Sequence, residues 1–123
     1  PDISFTGRVE REDIAKLYAE HDIFLNSSDI DNMPVSFLEA YASGLAVVST
    51  DAGGIPYICK GGRTGLLVEK NDHEGLAREM LRVIEDNGLG KRLTQSARKE
   101  CVKFTWPSVR EGWHELYRDL YDE

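Results

Sequence analysis

Glu39 is the only charged residue in the stretch 33–50, MPVSFLEAYASGLAVVST. Around it Val35, Phe37, Leu38, Ala40, Tyr41 and Ala42 make a helix that is apolar on nearly all sides and is expected to be largely buried. A carboxylate on such a helix either reaches solvent at one edge or needs donors, because an unpartnered buried charge is costly. Sugar hydroxyls are suitable donors for a fixed carboxylate. Backbone N–H groups of a neighbouring loop would serve as well, and residue type alone leaves both open.

The start of the same helix has chemistry of its own. Pro34 is expected at the first helical position, where its missing N–H costs nothing. The free amides of Val35 and Ser36, with the positive end of the helix dipole, would then form an anion site that suits a pyrophosphate. A merely solvated helix start would have the same sequence. Gly53-Gly54-Ile55-Pro56 offers backbone donors that could wrap a phosphate or a sugar, or else a tight turn with no ligand. Asp29-Ile30-Asp31 has the D-x-D pattern that can hold a divalent metal on a diphosphate. With 22 acidic residues in the chain such a triplet arises readily by chance, so no metal ligand is assigned. Neither G-x-G-x-x-G nor G-x-x-x-x-G-K-[ST] occurs, no nucleophilic triad is visible, and His21, His73 and His114 are scattered.

These groups need elements to position them, and the pattern alternates short strands with helices. Strands are expected at 3–5, 23–25, 45–49 and 65–68, with helices at 13–20 and 34–43 between them. The helix at 13–20 has Ile14, Leu17 and Tyr18 on one face. The run 45–49 must be buried on both sides, as parallel strands under helices are. Helices at 72–85, 89–102 and 107–120 follow. Their stripes are Leu76, Met80, Val83, Ile84; Leu89, Leu93, Ala97, Cys101; and Val109, Trp113, Leu116, Tyr117, Leu120. Core packing is the expectation for all of them, and Trp106 and Trp113 are expected as packing anchors. The fold class is α/β, a Rossmann-like parallel sheet flanked by helices with a helical C-terminus. In such sheets ligands lie outside the carboxyl ends of the strands, here at Gly7-Arg8-Val9, Asn26–Asp31, Asp51–Gly54 and Glu69-Lys70-Asn71.

Composition bounds the reading. At 123 residues, 41% hydrophobic and 30% charged, the chain suits one globular domain spanning 1–123. A formal charge of −7 argues against nucleic acid or an anionic lipid surface as partner. Cys59 and Cys101 lack C-x-x-C spacing, no apolar run reaches the ~18 residues of a membrane span, and no signal peptide opens the sequence. The expected location is cytoplasmic.

Taken together, D-x7-E, then A-x-A-x-G-L-x-V-V-x-T-D-x-G-G-I-P, then T-G-L-L-V and a D-x-x-x-L-A helix resemble the C-terminal domain of GT-B-fold glycosyltransferases, the retaining family 4 in particular. The likeness runs through the whole chain. It implies that Glu39 holds the ribose hydroxyls of a nucleotide, that Asp31 lies near the donor sugar, and that Met33, Pro34, Val35 and Ser36 present backbone to sugar and diphosphate. Gly7, Arg8 and Val9 match the loop bordering the nucleobase. Asp31 is one methylene shorter than the Glu usual in that family, Asn32 and Pro34 stand where glycines are common, and Tyr57 replaces a usual Glu.

The resemblance further implies a UDP- or GDP-sugar donor, no metal requirement, and transfer of a hexose with retention to a saccharide or lipid-linked acceptor. It implies a longer protein, whose N-terminal acceptor domain and first strands, bearing an Arg and a Lys, are not in this sequence. The fragment alone is then expected to be inactive, and any peripheral membrane contact belongs to the full-length protein. The rival reading is a non-catalytic α/β nucleotide-binding or interaction module.

Overall fold

The computed structural model describes residues 2–121. Helix α1 (Arg11–Ala19) leads into β1 (Ile23–Asn26), α2 (Val35–Ser43) and β2 (Ala46–Thr50). The one-turn helix α3 (Ile55–Ile58) and β3 (Leu66–Val68) follow, then α4 (His73–Glu85), α5 (Asn87–Cys101), a 3-10 turn (Val102–Phe104) and α6 (Trp106–Tyr121). The three strands form a parallel sheet in the order β1-β2-β3, with Ile23 beside Ala46 and Val48 beside Leu66.

Every residue of β2 is buried, the apolar Ala46-Val47-Val48 as a central parallel strand requires and the polar Ser49 and Thr50 beyond them. Alternation along the strand divides the core. Val47 joins Phe37, Tyr41, Ile55, Ile58 and Ala97 on one side. Ala46 and Val48 join Leu66, Leu76, Val83, Leu89 and Leu93 on the other. Helix α5 packs against both α2 and β2, so it closes the core from the end of the chain.

Local signals set the element boundaries. Helix α2 stops at Gly44, whose φ of 84° is left-handed, and the Leu45 amide turns back to the Ala40 carbonyl at 3.0 Å. Asp72 caps α4 by accepting from the Gly75 amide at 2.8 Å, and Asp86 caps α5 by accepting from Leu89 at 2.9 Å. Among the described residues no helix is long and apolar enough to cross a membrane.

Several expectations are corrected. Residues 3–5 form no strand, and Ile3 and Phe5 stand open to solvent. So short a segment is a strand only through a ladder, and among the described residues it pairs with no strand. Gly53-Gly54-Ile55-Pro56 is not only a turn, since Gly54 opens helix α3. Pro34 precedes α2 rather than occupying its first turn, with extended dihedrals of −71° and 116°. Helix α2 buries Phe37, Ala40 and Tyr41, but Val35 and Ala42 are exposed, so it is half covered rather than enclosed. On α4, Leu76 and Val83 are buried while Ile84 is not.

The largest departure is α6. Trp106, Trp113, Leu116, Tyr117 and Leu120 are all about half exposed or more, and none of its residues is buried. The helix packs onto the 3-10 turn, and Trp113 stacks on Tyr117 with ring centroids 6.0 Å apart. The stripe exists, but among the described residues no helix or strand covers it closely enough to bury any of it. The two tryptophans are therefore not core anchors here.

Candidate functional site

The carboxyl ends of β1 and β2 are joined by a polar relay. Asn26 Nδ2 donates to Ser49 Oγ at 3.1 Å, and Ser28 Oγ donates to Asn26 Oδ1 at 2.8 Å. Thr50 Oγ1 donates to the Ser28 carbonyl at 2.5 Å, while Ser49 Oγ donates to the Thr50 carbonyl at 2.8 Å. Ser49 and Thr50 are buried, so these bonds satisfy hydroxyls that would otherwise be stranded in the core. They also fix where the chain leaves β1 towards α2.

A second loop clasps the first. The Gly54 amide donates to the Asp31 carbonyl at 2.8 Å. A Cβ on Gly53 would come 1.9 Å from the Asp31 carbonyl oxygen, and one on Gly54 only 1.3 Å from that of Asn32. The glycines make room for the 29–34 backbone, and the Gly54 N–H is already engaged by it. Asp31, half-buried, thus lies against Gly53 and Gly54 at the mouth of α2.

At that mouth Pro34 supplies no side-chain cap. The first amide turned back is that of Phe37, to the Pro34 carbonyl at 3.2 Å. Among the described residues no acceptor takes the amides of Val35 and Ser36. Two backbone donors and the helix dipole therefore face outward, an arrangement that receives an anion.

Glu39 lies one turn further along α2, with its side chain exposed. Its recorded partner is not the backbone of a neighbouring loop but the Tyr18 hydroxyl of α1, which donates to Oε2 at 3.4 Å. Burial, then the negative charge of Glu39, push the Tyr18 phenol above its ordinary value, so it remains a donor at neutral pH. The sequence pattern places Tyr18 on one face of its helix with Ile14 and Leu17 and assigns its hydroxyl nothing. The available signal was a hydroxyl in an otherwise aliphatic stripe, because a tyrosine in a packed face needs a partner for its O–H.

The structure thus sets Asp31 against Gly53 and Gly54 just ahead of α2, with residues 33–36 at the start of that helix and Glu39 one turn along it. Gly7, Arg8 and Val9 stand apart. Gly7 is left-handed with φ 61°, Arg8 pairs with Glu10 at 3.6 Å, and no hydrogen bond or ion pair among the described residues links 7–9 to the start of α2. Beside α1 and β1 lies an open cavity of about 410 Å³, lined by Ile14, Leu17, Tyr18, Phe24 and Leu45 among others. Among the described residues no three His, Cys, Asp or Glu side chains gather where a metal could be held.

The chain is an open α/β sheet with an uncapped helix start near the carboxyl ends of its parallel strands, the edge at which sheets of this class take ligands. The family described as "Glycosyl transferases group 1" matches residues 1–86, and the chain belongs to that family. It is 32% identical over 105 residues to the sulfoquinovosyl transferase SQD2 of Arabidopsis thaliana, covering 83% of this chain and 21% of that protein. The C-terminal domain of a group 1 glycosyl transferase (LpcC) from Francisella tularensis superimposes with a TM-score of 0.72 and 27% identity, over 83% of this chain and 51% of that one. HepE of Anabaena, solved in complex with UDP, shares the fold with a TM-score of 0.82 at 23% identity, over 89% of this chain and 30% of that one. The fold is that of the C-terminal domain of GT-B enzymes, and the chain spans about a fifth of the length of the SQD2 relative.

Proposed function

We propose that this chain is the donor-binding part of a hexosyltransferase, taking a nucleoside diphosphate sugar at the mouth of α2. In this reading the Val35 and Ser36 amides meet the diphosphate, Asp31 orients the sugar, and Glu39 accepts from the ribose hydroxyls. Residues 33 and 34 lay backbone along the sugar, and Gly7, Arg8 and Val9 border the base. The two free amides, one turn from an exposed carboxylate, carry the proposal. Charge developing on the leaving diphosphate would be stabilised by that helix start, a form of electrostatic preorganisation. Asp31 and Glu39 would orient the donor rather than act as an acid and base pair. In the whole protein the hexose would pass with retention to a saccharide or lipid-linked acceptor held by a further domain.

The fold shared with a UDP-bound protein makes UDP the natural first probe. Titration of the 15N-labelled chain with UDP, and separately with GDP, should move the amides of Val35 and Ser36, and Glu39→Gln should weaken the nucleotide that binds. Silence at both amides up to about 10 mM of either nucleotide would favour the non-catalytic module instead.

A further inference from the structure

Tyr18 and Glu39 lie 21 residues apart on different helices, yet the phenol of one donates to the carboxylate of the other at 3.4 Å. The two ends of this contact differ in freedom. Tyr18 is half-buried, and its ring meets Phe24 edge-on with centroids 6.1 Å apart. Phe24 in turn meets the fully buried Phe37 edge-on at 5.4 Å. An aromatic ladder thus runs from α1 across β1 to α2 and holds the phenol against the core. Glu39 has no such support: it is exposed, and a glutamate has three side-chain torsions to lose on binding anything. A carboxylate offers about four lone-pair sites, so one donor on Oε2 leaves room for two more hydroxyls.

We propose that Tyr18 is a positioning residue for donor recognition, holding one oxygen of Glu39 so that the carboxylate presents its remaining acceptor sites to the ribose diol of a nucleotide. This rests on Glu39 being the ribose acceptor. At 3.4 Å the contact is long for an O–H···O bond. Retaining the ring while deleting the hydroxyl separates positioning from packing, because Tyr18→Phe keeps the edge contact with Phe24.

The test compares wild type, Tyr18→Phe, Glu39→Gln and the double variant of the full chain, titrated by NMR with UDP and with 2′-deoxy-UDP, alongside urea midpoints. The expected result is that Tyr18→Phe weakens UDP roughly three- to tenfold, narrows the preference for UDP over 2′-deoxy-UDP, leaves the urea midpoint nearly unchanged, and adds nothing on top of Glu39→Gln. If Glu39→Gln weakens UDP while Tyr18→Phe binds as wild type, the Tyr18 role is wrong and the ribose reading stands. If Tyr18→Phe weakens both nucleotides equally and lowers the midpoint, the contact is structural only and the proposal fails. If Glu39→Gln binds UDP as wild type, or no variant binds it, the ribose reading falls and takes the Tyr18 role with it.

Discussion

Tyr41 donates its hydroxyl to Thr64 Oγ1 at 3.1 Å in the interior, tying α2 to the loop that enters β3. Thr64 Oγ1 also accepts from the Lys60 amide at 2.8 Å, so the threonine hydroxyl serves both the helix and its own loop.

Burial, more than any neighbouring charge, pushes the Tyr41 phenol far above its ordinary value near 10. A raised folded-state pKa means that the stabilisation is complete below the unfolded value and is lost as pH climbs past it. Tyr41→Phe should lower stability at neutral pH by about 1 kcal/mol, since Thr64 keeps its Lys60 bond. The variant should also lose less stability than wild type between pH ~8 and ~11. Urea unfolding at several alkaline pH values measures both.

Two glycines should respond very differently to the same added methyl. Gly54→Ala drives its Cβ into the Asn32 carbonyl, a backbone atom that cannot rotate aside. It should cost about 2–3 kcal/mol and abolish the response of Val35 and Ser36 to UDP. Gly44→Ala meets nothing within 4 Å and bears only the left-handed φ of 84°, which costs about 1 kcal/mol. Its nucleotide response should be unchanged. Paired denaturation and titration curves decide the order.

Leu93 is fully buried against the β2 face, whereas Trp113 on α6 is 51% exposed. Leu93→Ala should destabilise the chain by about 2–5 kcal/mol through the cavity it leaves. Trp113→Ala removes a larger side chain but should cost under about 1 kcal/mol, mostly its stacking on Tyr117. A large loss at Trp113 in urea melts would mean that α6 is packed more closely than its exposure indicates.

What was legible from sequence follows a physical line. The run at 45–49 announced a strand covered on both sides because nothing else buries five such residues, and β2 has that burial. The α5 stripe was readable for the same reason, the α4 stripe only at Leu76 and Val83, and of the polar strand ends those after β1 and β2 meet while Gly7–Val9 stands apart. Periodicity states which face of a helix is apolar, not what it meets, so the α6 stripe was read correctly as a pattern and wrongly as core. Residues 3–5 had strand-like composition, but strand status depends on a partner. Gly53 and Gly54 offered backbone donors for a phosphate or a sugar, yet residue type cannot tell a ligand from the protein's own Asp31–Asn32 backbone. Tyr18 escaped because its hydrogen bond joins elements 21 residues apart.

The backbone clasp of Gly53 and Gly54 on Asp31 and Asn32 also bears on how quickly and how tightly this edge could be occupied. Ordering a free loop costs roughly 1–2 kcal/mol per residue in conformational entropy. Here the two loops hold one another through the Gly54–Asp31 bond and are anchored below by the Ser28–Thr50 bond, so that cost is met when the chain folds. A ligand taken at the mouth of α2, as proposed, would find these two loops already held against one another. Its affinity would then not be reduced by the cost of ordering them, and its association would not wait on their rearrangement.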